Sequence, residues 1–149
     1  MSLPVWLDDD ESRWLAEQAH TKDLVIEFGG KATLALSCAK RVVSVASECN
    51  TDTKHLPHLI TIAGNLRDHA VEELLVAGYA RQADMIYIDA DHTLESVAKD
   101  IWLAKRLLAP QGILCGHGFC DSSPDIQSAV STMLPYYSLP AGTIWKSPG

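Results

Sequence analysis

Short apolar runs separated by amphipathic stretches are the main pattern along this chain. Each run is rich in branched residues and apolar on both faces. The runs are LVIEF at 24–28, VVSVA at 42–46, LITIA at 59–63, MIYID at 85–89 and GILCG at 112–116. Strands buried on both faces, as in a parallel sheet, have this composition. We therefore predict five parallel strands.

Helical periodicity fills much of the chain between the runs. Residues 9–20 begin with acidic residues that suit a helix N-terminus, residues 65–80 begin with Asn65 as an N-cap, and residues 93–108 repeat apolar side chains at helical spacing before Pro110. Parallel strands joined by helices need right-handed crossovers. The pattern predicts a doubly wound, Rossmann-like α/β fold with a mainly parallel sheet.

The last third of the chain adds two elements. A further helix is predicted from Pro124, a residue favoured at the first helical position. The stretch YYSLPAGTIWKS at 136–147 then predicts two short strands joined around residues 140–142. We expect this hairpin to close the sheet with an antiparallel edge strand.

Composition narrows the class of protein. A chain of 149 residues is most simply one domain, residues 1–149. The net charge of −7 makes binding to a nucleic-acid backbone unfavourable. No apolar run approaches the roughly 18 residues of a membrane span, and the N-terminus lacks the pattern of a secretory signal, so we expect a cytoplasmic protein without a membrane partner.

Polar residues follow the predicted strands. In an open α/β sheet, ligands bind beyond the carboxyl ends of the strands, where the strand order reverses. The residues at these positions are Glu27, Gly29, Gly30, Ala46, Ser47, Glu48, Gly64, Asn65, Asp89, Asp91, His92, His117 and Gly118. Position by position, the set fits a ligand site and the ordinary polar turns of a parallel sheet equally well. Asp91 and His92 also suit a helix N-terminus.

The segment IDADHTLESVAKDIWLAKRLLAPQGILCGHGFCD at 88–121 carries a family resemblance. It resembles the class I S-adenosylmethionine-dependent methyltransferases, in particular the branch whose fourth strand ends in IDADH and whose fifth reads PGGxxxGHD. The resemblance is specific from about Ala83 to Asp121 and continues through PAGTIWKS. It is looser over WLAEQAHTKDLVIEFGG and RVVSV. It implies a methyltransferase acting on a small-molecule acceptor, with O-methylation as the reaction.

The resemblance also implies roles for individual residues. The first-strand acid and glycine loop would hold the methionine and ribose of S-adenosylmethionine, an acid after the second strand the ribose hydroxyls, and residues after the third strand the adenine. In this chain the cofactor-binding candidates are Glu27, Gly29, Gly30, Glu48, Asn65, Leu66 and Asp89. An acceptor that must lose a proton needs a base, for which the candidates are Asp89, Asp91, His92 and His117. No metal site is assigned.

The sequence departs from the family pattern mainly in the cofactor half. The family loop runs E-x-G-x-x-x-G, whereas Glu27-Phe28-Gly29-Gly30-Lys31 leads directly to a helix and is about three residues short. Ala46 and Asn65 stand where acids are expected, and Gly118 replaces the acid of GHD. These departures favour an alternative, a catalytically inactive methyltransferase-like protein that serves as a binding or interaction module.

Other interpretations are weaker. FGGKAT is not the G-x-G-x-x-G of a dehydrogenase. Cys115, His117 and Cys120 are too few for a structural zinc site, which needs four ligands. Cys49, His55 and His58 fit a polar surface loop equally well. Because no cap domain is evident, we expect an active form to use a partner in a homodimer or to bind a small, exposed acceptor.

Overall fold

The computed structural model describes residues 7–46, 56–63, 67–89 and 93–148. Helices and strands alternate along most of this part of the chain. The elements are α1 Asp9–His20, β1 Leu24–Phe28, α2 Thr33–Leu36, β2 Arg41–Ala46, β3 Leu59–Ala63, α3 Arg67–Val76, β4 Ala83–Ile88, α4 Leu94–Leu107, β5 Leu108–Gly116, α5 Pro124–Met133, β6 Ser138–Ala141 and β7 Ile144–Lys146. The predicted α/β class is confirmed.

One sheet contains all the described strands, in the order β3-β2-β1-β4-β5-β7-β6. Strands β1 to β5 are parallel to one another, and β7 is antiparallel to both β5 and β6. The strand order reverses between β1 and β4, because the chain adds β2 and β3 on one side and β4 and β5 on the other. The doubly wound sheet with an antiparallel edge hairpin is as predicted, and its ligand position lies beyond β1 and β4.

Two apolar cores cover the two faces of the sheet. Successive residues of a strand point to opposite faces, and in β1 Val25 packs with α1 and α2 while Ile26 packs with α3, α4 and α5. Burial on both faces explains why the strands read as continuous apolar runs. In the described residues, no helix is long and apolar enough to cross a membrane. The cytoplasmic location stays a prediction.

Three local details differ from the sequence prediction. The helix that follows the glycine loop is a single turn, Thr33–Leu36. Strand β5 starts at Leu108, directly after α4, and its pairing with β4 is irregular between Ala83 and Met85, so Pro110 lies in a disrupted stretch where its missing N–H is tolerated. In the hairpin, residues 140 and 141 belong to β6, and the turn is Gly142 and Thr143.

Candidate functional site

A row of polar side chains crosses the α1 and α2 face of the sheet just below its carboxyl edge. Glu27 is paired with Ser44 on one side and Tyr87 on the other, and Tyr87 is paired with Cys115. All four side chains are buried. Asp89 and His117 come two residues after Tyr87 and Cys115, directly beyond the ends of β4 and β5. Buried polar groups in this number need partners, and their partners define the site.

Glu27 is fully buried and bonds to the loop that follows its own strand. One carboxylate oxygen accepts from the Ala32 N–H at 2.7 Å, and the other accepts from the hydroxyls of Thr33 and Ser44, the latter at 2.8 Å. Burial raises the pKa of Glu27, against these hydrogen bonds, and nearby Asp89 raises it further. Through these hydrogen bonds, the Glu27 carboxylate fixes the conformation of the segment that follows the two glycines.

The glycine loop packs tightly on the end of β2. Both Gly29 and Gly30 have positive φ, 122° and 79°, and the Gly29 N–H donates to the carbonyl of Val45 at 2.8 Å. A Cβ atom added to Gly30 would lie 2.9 Å from the Cβ of Ala46. Only glycine permits both this backbone shape and this approach. Ala46 is buried, so the acid that the family places here has no counterpart at this position.

Asp89 and His117 lie side by side at the ends of adjacent strands. Their backbone N–H groups continue the sheet ladder, Asp89 to Phe28 at 2.9 Å and His117 to Ile88 at 3.2 Å. The Asp89 Oδ2 atom accepts from the Tyr87 hydroxyl at 3.3 Å and lies 3.9 Å from Nδ1 of His117. Burial raises the pKa of Tyr87, and the Asp89 carboxylate raises it further, so Tyr87 is a hydrogen-bond donor here.

Glu11, which the sequence patterns did not single out, reaches this group from α1. Its Oε1 atom lies 3.2 Å from Nε2 of His117 and also accepts from the Asp8 N–H, while its Oε2 atom accepts from the Thr143 N–H and hydroxyl at 2.7 and 2.8 Å. The sequence signal was present: Asp8 and Glu11 have the spacing of a capping box. That signal predicts a helix start, not a contact with a residue 106 positions away.

Glu11 is ionised in this setting. Burial alone would raise its pKa, but the N–H groups of Asp8 and Thr143, the Thr143 hydroxyl and His117 together lower it below the ordinary value of 4.5. A buried carboxylate that accepts several hydrogen bonds is stabilised in its charged form. His117 therefore lies between two carboxylates, Glu11 at Nε2 and Asp89 near Nδ1.

The predicted site residues fall into two groups. The structure brings Glu27, Gly29, Gly30, Asp89 and His117 to one edge of the sheet, as the sequence predicted. Five other predicted residues lie outside the described residues, namely Glu48, Asn65, Leu66, Asp91 and His92. Within the described ranges, no group of three or more His, Cys, Asp or Glu side chains is arranged to hold a metal ion.

A groove of about 490 Å³ lies between α1 and α2, next to the glycine loop. It is lined by Leu7, Ser12, Arg13, Ala16, Lys31, Ala32, Leu34 and Ala35. The lining is mainly aliphatic with two cationic side chains. Sites for small molecules in proteins have this size and this mixture of apolar surface with a few polar groups.

Comparison with known proteins identifies the family. A sequence profile described as a methyltransferase domain matches residues 11–119, which include β1 to β5 and the whole polar edge. The chain belongs to this methyltransferase domain family. The resemblance to methyltransferases drawn from residues 83–121 is thereby confirmed at the level of the family. Among curated proteins, none matches the chain.

Solved structures share the methyltransferase fold at low sequence identity. The O-methyltransferase from Bacillus cereus in complex with SAH is 13% identical, with a TM-score of 0.70 over 96% of this chain and 82% of that one. The O-methyltransferase TomG from Streptomyces achromogenes, involved in tomaymycin synthesis and solved with SAM, is 14% identical, with a TM-score of 0.70 over 99% and 84%. A methyltransferase from Geobacter sulfurreducens is 15% identical, with a TM-score of 0.65 over 95% and 80%.

Proposed function

We propose that this protein is an S-adenosylmethionine-dependent methyltransferase that methylates an oxygen of a small-molecule acceptor. The observation that carries the proposal is the pair of Asp89 and His117 beside the glycine loop, at the point where the strand order of a methyltransferase-family sheet reverses. An acceptor hydroxyl has to lose a proton, and a carboxylate and an imidazole in adjacent positions are suited to receive it. Two of the solved relatives are described as O-methyltransferases bound to SAH or SAM.

The described residues fit the cofactor in charge and in shape. S-adenosylmethionine carries positive charge on its sulfonium and amino groups, and Asp89 supplies an acidic group at this edge. Gly29 and Gly30 carry no side chain, and their positive φ values are those of a tight turn at the switch point. When bound, the cofactor supplies an electrophilic methyl group whose bonding electron pair stays on sulfur. We assign its binding to Gly29, Gly30 and Asp89, with Glu27 acting through the loop and Glu48, Asn65 and Leu66 completing the site.

The remaining predicted residues have roles on the acceptor side. His117 takes the proton of the acceptor hydroxyl, and Asp89 aligns that hydroxyl. Asp91 and His92 follow Asp89 in the sequence, and we propose them as further polar contacts to the acceptor. The groove between α1 and α2 has the volume of a small-molecule site, but neither Asp89 nor His117 is among the residues that line it. Holding the two reactants in line supplies a large share of the rate in such a reaction.

Calorimetric titration with SAH tests the proposal. We expect heat of binding from the wild type and about ten- to a hundred-fold weaker binding after Asp89→Asn, because the negative charge that complements the positively charged amino group of SAH is lost. Asp84→Asn is the matched control: Asp84 is on the same strand at the opposite, amino edge, where it accepts from the N–H groups of Asp23 and Leu24. Equal weakening by both variants, or no heat at millimolar SAH, would contradict the assignment.

One observation favours a second candidate, an inactive binding module. The groups of the first loop bond inward: the Glu27 carboxylate takes three internal donors, and the Gly29 N–H is engaged by Val45. Fewer donors therefore remain for a ligand than in a longer loop. A protein that binds neither SAH nor S-adenosylmethionine but keeps its fold would support this candidate.

A further inference from the structure

His117 is held between two carboxylates, but only one of them is close enough for a hydrogen bond. Glu11 Oε1 lies 3.2 Å from Nε2, and Asp89 Oδ2 lies 3.9 Å from Nδ1. The ring is buried, and within the described residues Nδ1 has no hydrogen-bond partner. A neutral imidazole carries one N–H, so the two carboxylates compete for it.

The geometry places the imidazole hydrogen of His117 on Nε2, the nitrogen that faces Glu11. An ionised carboxylate only accepts, so the nitrogen that faces Glu11 must carry the hydrogen. Glu11 itself cannot turn away, because its two oxygens are fixed by the Asp8 N–H and by the N–H and hydroxyl of Thr143. Nδ1 is then left with a free lone pair directed toward Asp89.

We infer that Glu11 is a positioning residue of the methyl-transfer site: it binds the Nε2–H of His117 and keeps Nδ1 as the unprotonated acceptor on the Asp89 side. The role of this arrangement rests on the proposed function, in which Nδ1 is the atom that receives the proton of the acceptor hydroxyl. The proton moves from the acceptor oxygen to Nδ1, giving an imidazolium balanced by Glu11. The O–H bonding pair left on the acceptor oxygen would form the bond to the methyl carbon, while the bond from that carbon to sulfur breaks and its electron pair stays on sulfur.

The 3.9 Å gap suits this task. It is too long for a direct hydrogen bond, so Asp89 does not occupy Nδ1. A hydroxyl oxygen placed off the line between the two atoms can lie about 2.8 Å from Nδ1, an ordinary hydrogen-bond distance, with its one hydrogen directed to that nitrogen. The other groups that face His117 are consistent: the Tyr87 hydroxyl donates to Asp89, and Thr143 bonds the far oxygen of Glu11.

Nitrogen-15 NMR of the imidazole rings tests the inference without any ligand. The chain has six histidines, so the His117 signals are assigned by their loss in His117→Gln. We expect the neutral ring of the wild type to be the Nε2–H tautomer, which its two nitrogen-15 shifts distinguish from the Nδ1–H tautomer. In Glu11→Gln the side-chain carboxylate is gone, and Asp89 is the only remaining anion of the pair. We expect the Nδ1–H form to become the larger fraction.

Two further variants separate positioning from general damage. Thr143→Val removes the hydroxyl that donates to Glu11 and accepts from the Gly118 N–H, but it keeps the Glu11 carboxylate, so it should lower stability and leave the tautomer unchanged. In Glu11→Gln/Asp89→Asn both carboxylates are absent, and the shift to Nδ1–H should largely disappear. A wild-type Nδ1–H tautomer, or an unchanged His117 spectrum in Glu11→Gln, would overturn the inference.

The outcome is distinguishable from failure of the proposed function. SAH titration of Glu11→Gln should give a dissociation constant within about threefold of the wild type, because Glu11 acts on the proton acceptor and not on the cofactor. Absence of SAH binding in the wild type would reject the proposed function while the tautomer measurement still decides the geometry. A tenfold loss of SAH binding in Glu11→Gln would contradict a role confined to His117.

Discussion

The guanidinium of Arg67 lies over the ring of Phe28, with its central carbon 4.8 Å from the ring centroid. The same group donates to the carbonyl of Val45 at 2.9 Å and to Asp100 Oδ1 at 3.1 Å. Arg67 thus links α3, α4 and the ends of β1 and β2. Because Val45 also accepts the Gly29 N–H, the arginine supports the strand end on which the glycine loop packs.

Arg67→Met should destabilise the protein by about 2 kcal/mol, because the mostly buried Asp100 carboxylate loses a charged partner. Urea unfolding measures the change. The matched control is Arg106→Met. Arg106 also pairs with a carboxylate, that of Glu72, and also stacks on an aromatic ring, that of Trp102, but its side chain is 40% exposed against 19% for Arg67.

The exposed pair should contribute only about 0–1 kcal/mol. If the Arg67 and Arg106 variants lose the same free energy of unfolding, burial does not determine how much these ion pairs contribute to stability. The double variant Arg67→Met/Asp100→Asn should recover part of the loss, since the carboxylate that lost its guanidinium partner is replaced by a neutral amide.

Glu27 should make the wild type less stable as the pH rises. Its pKa in the folded state is raised, chiefly by burial, above the ordinary value of 4.5. Its contribution is therefore fully present below pH 4.5 and is lost as the pH rises through the higher folded pKa. In Glu27→Gln this dependence is absent, so the stability difference between wild type and variant should be larger at pH 4 than at pH 7.

Urea unfolding of both proteins between about pH 4 and 8 measures the difference. Ser44→Ala is the control, because it removes a hydrogen bond that lowers the pKa of Glu27 and should keep or steepen the decline. Parallel curves for wild type and Glu27→Gln would show that the buried carboxylate is not protonated more readily in the folded state.

The sequence predicted this site to the extent that it depends on strand ends. Apolar runs identified the five parallel strands, and parallel strands bring their carboxyl ends to one edge whatever the connecting helices do. Asp89 and His117 therefore lie together as expected. The contact of Glu11 with His117 was not predicted, because it depends on how α1 packs against the hairpin turn at Thr143.

Other differences have equally local causes. The first residues of β5 follow α4 without a loop, and their register with β4 is irregular, which no period-two pattern reveals. The inward bonding of Glu27 depends on a loop short enough for Ala32 and Thr33 to reach its carboxylate. Sequence patterns report which face a residue occupies, whereas these contacts depend on distances between elements.

Glu11 should give the opposite pH dependence to Glu27. Its pKa in the folded state is lowered, because its hydrogen bonds and His117 outweigh the effect of burial. Its contribution is present above the ordinary value of 4.5 and is lost as the pH falls through the lower folded pKa. We expect Glu11→Gln to be destabilised by about 1–3 kcal/mol at pH 7, because a backbone N–H then faces the amide NH2, and by less at pH 3. If urea unfolding gives the same stability difference between wild type and Glu11→Gln at pH 3 and at pH 7, this prediction is contradicted.

Gly30→Ala should destabilise the protein clearly more than an alanine at a glycine with open space around it. Two effects add at this position: the positive φ of 79°, which strains any L-residue by about 1–2 kcal/mol, and a Cβ contact of 2.9 Å with Ala46. Overpacking of a buried contact adds about 1–3 kcal/mol.

Gly78→Ala isolates the first effect, because Gly78 has a φ of 97° but no atom within 4 Å of its added Cβ. Urea unfolding should therefore rank Gly30→Ala well below Gly78→Ala in stability, and Ala46→Gly should restore only the steric part. If the two alanine variants lose the same free energy, the packing of the glycine loop on β2 is looser than the structure indicates.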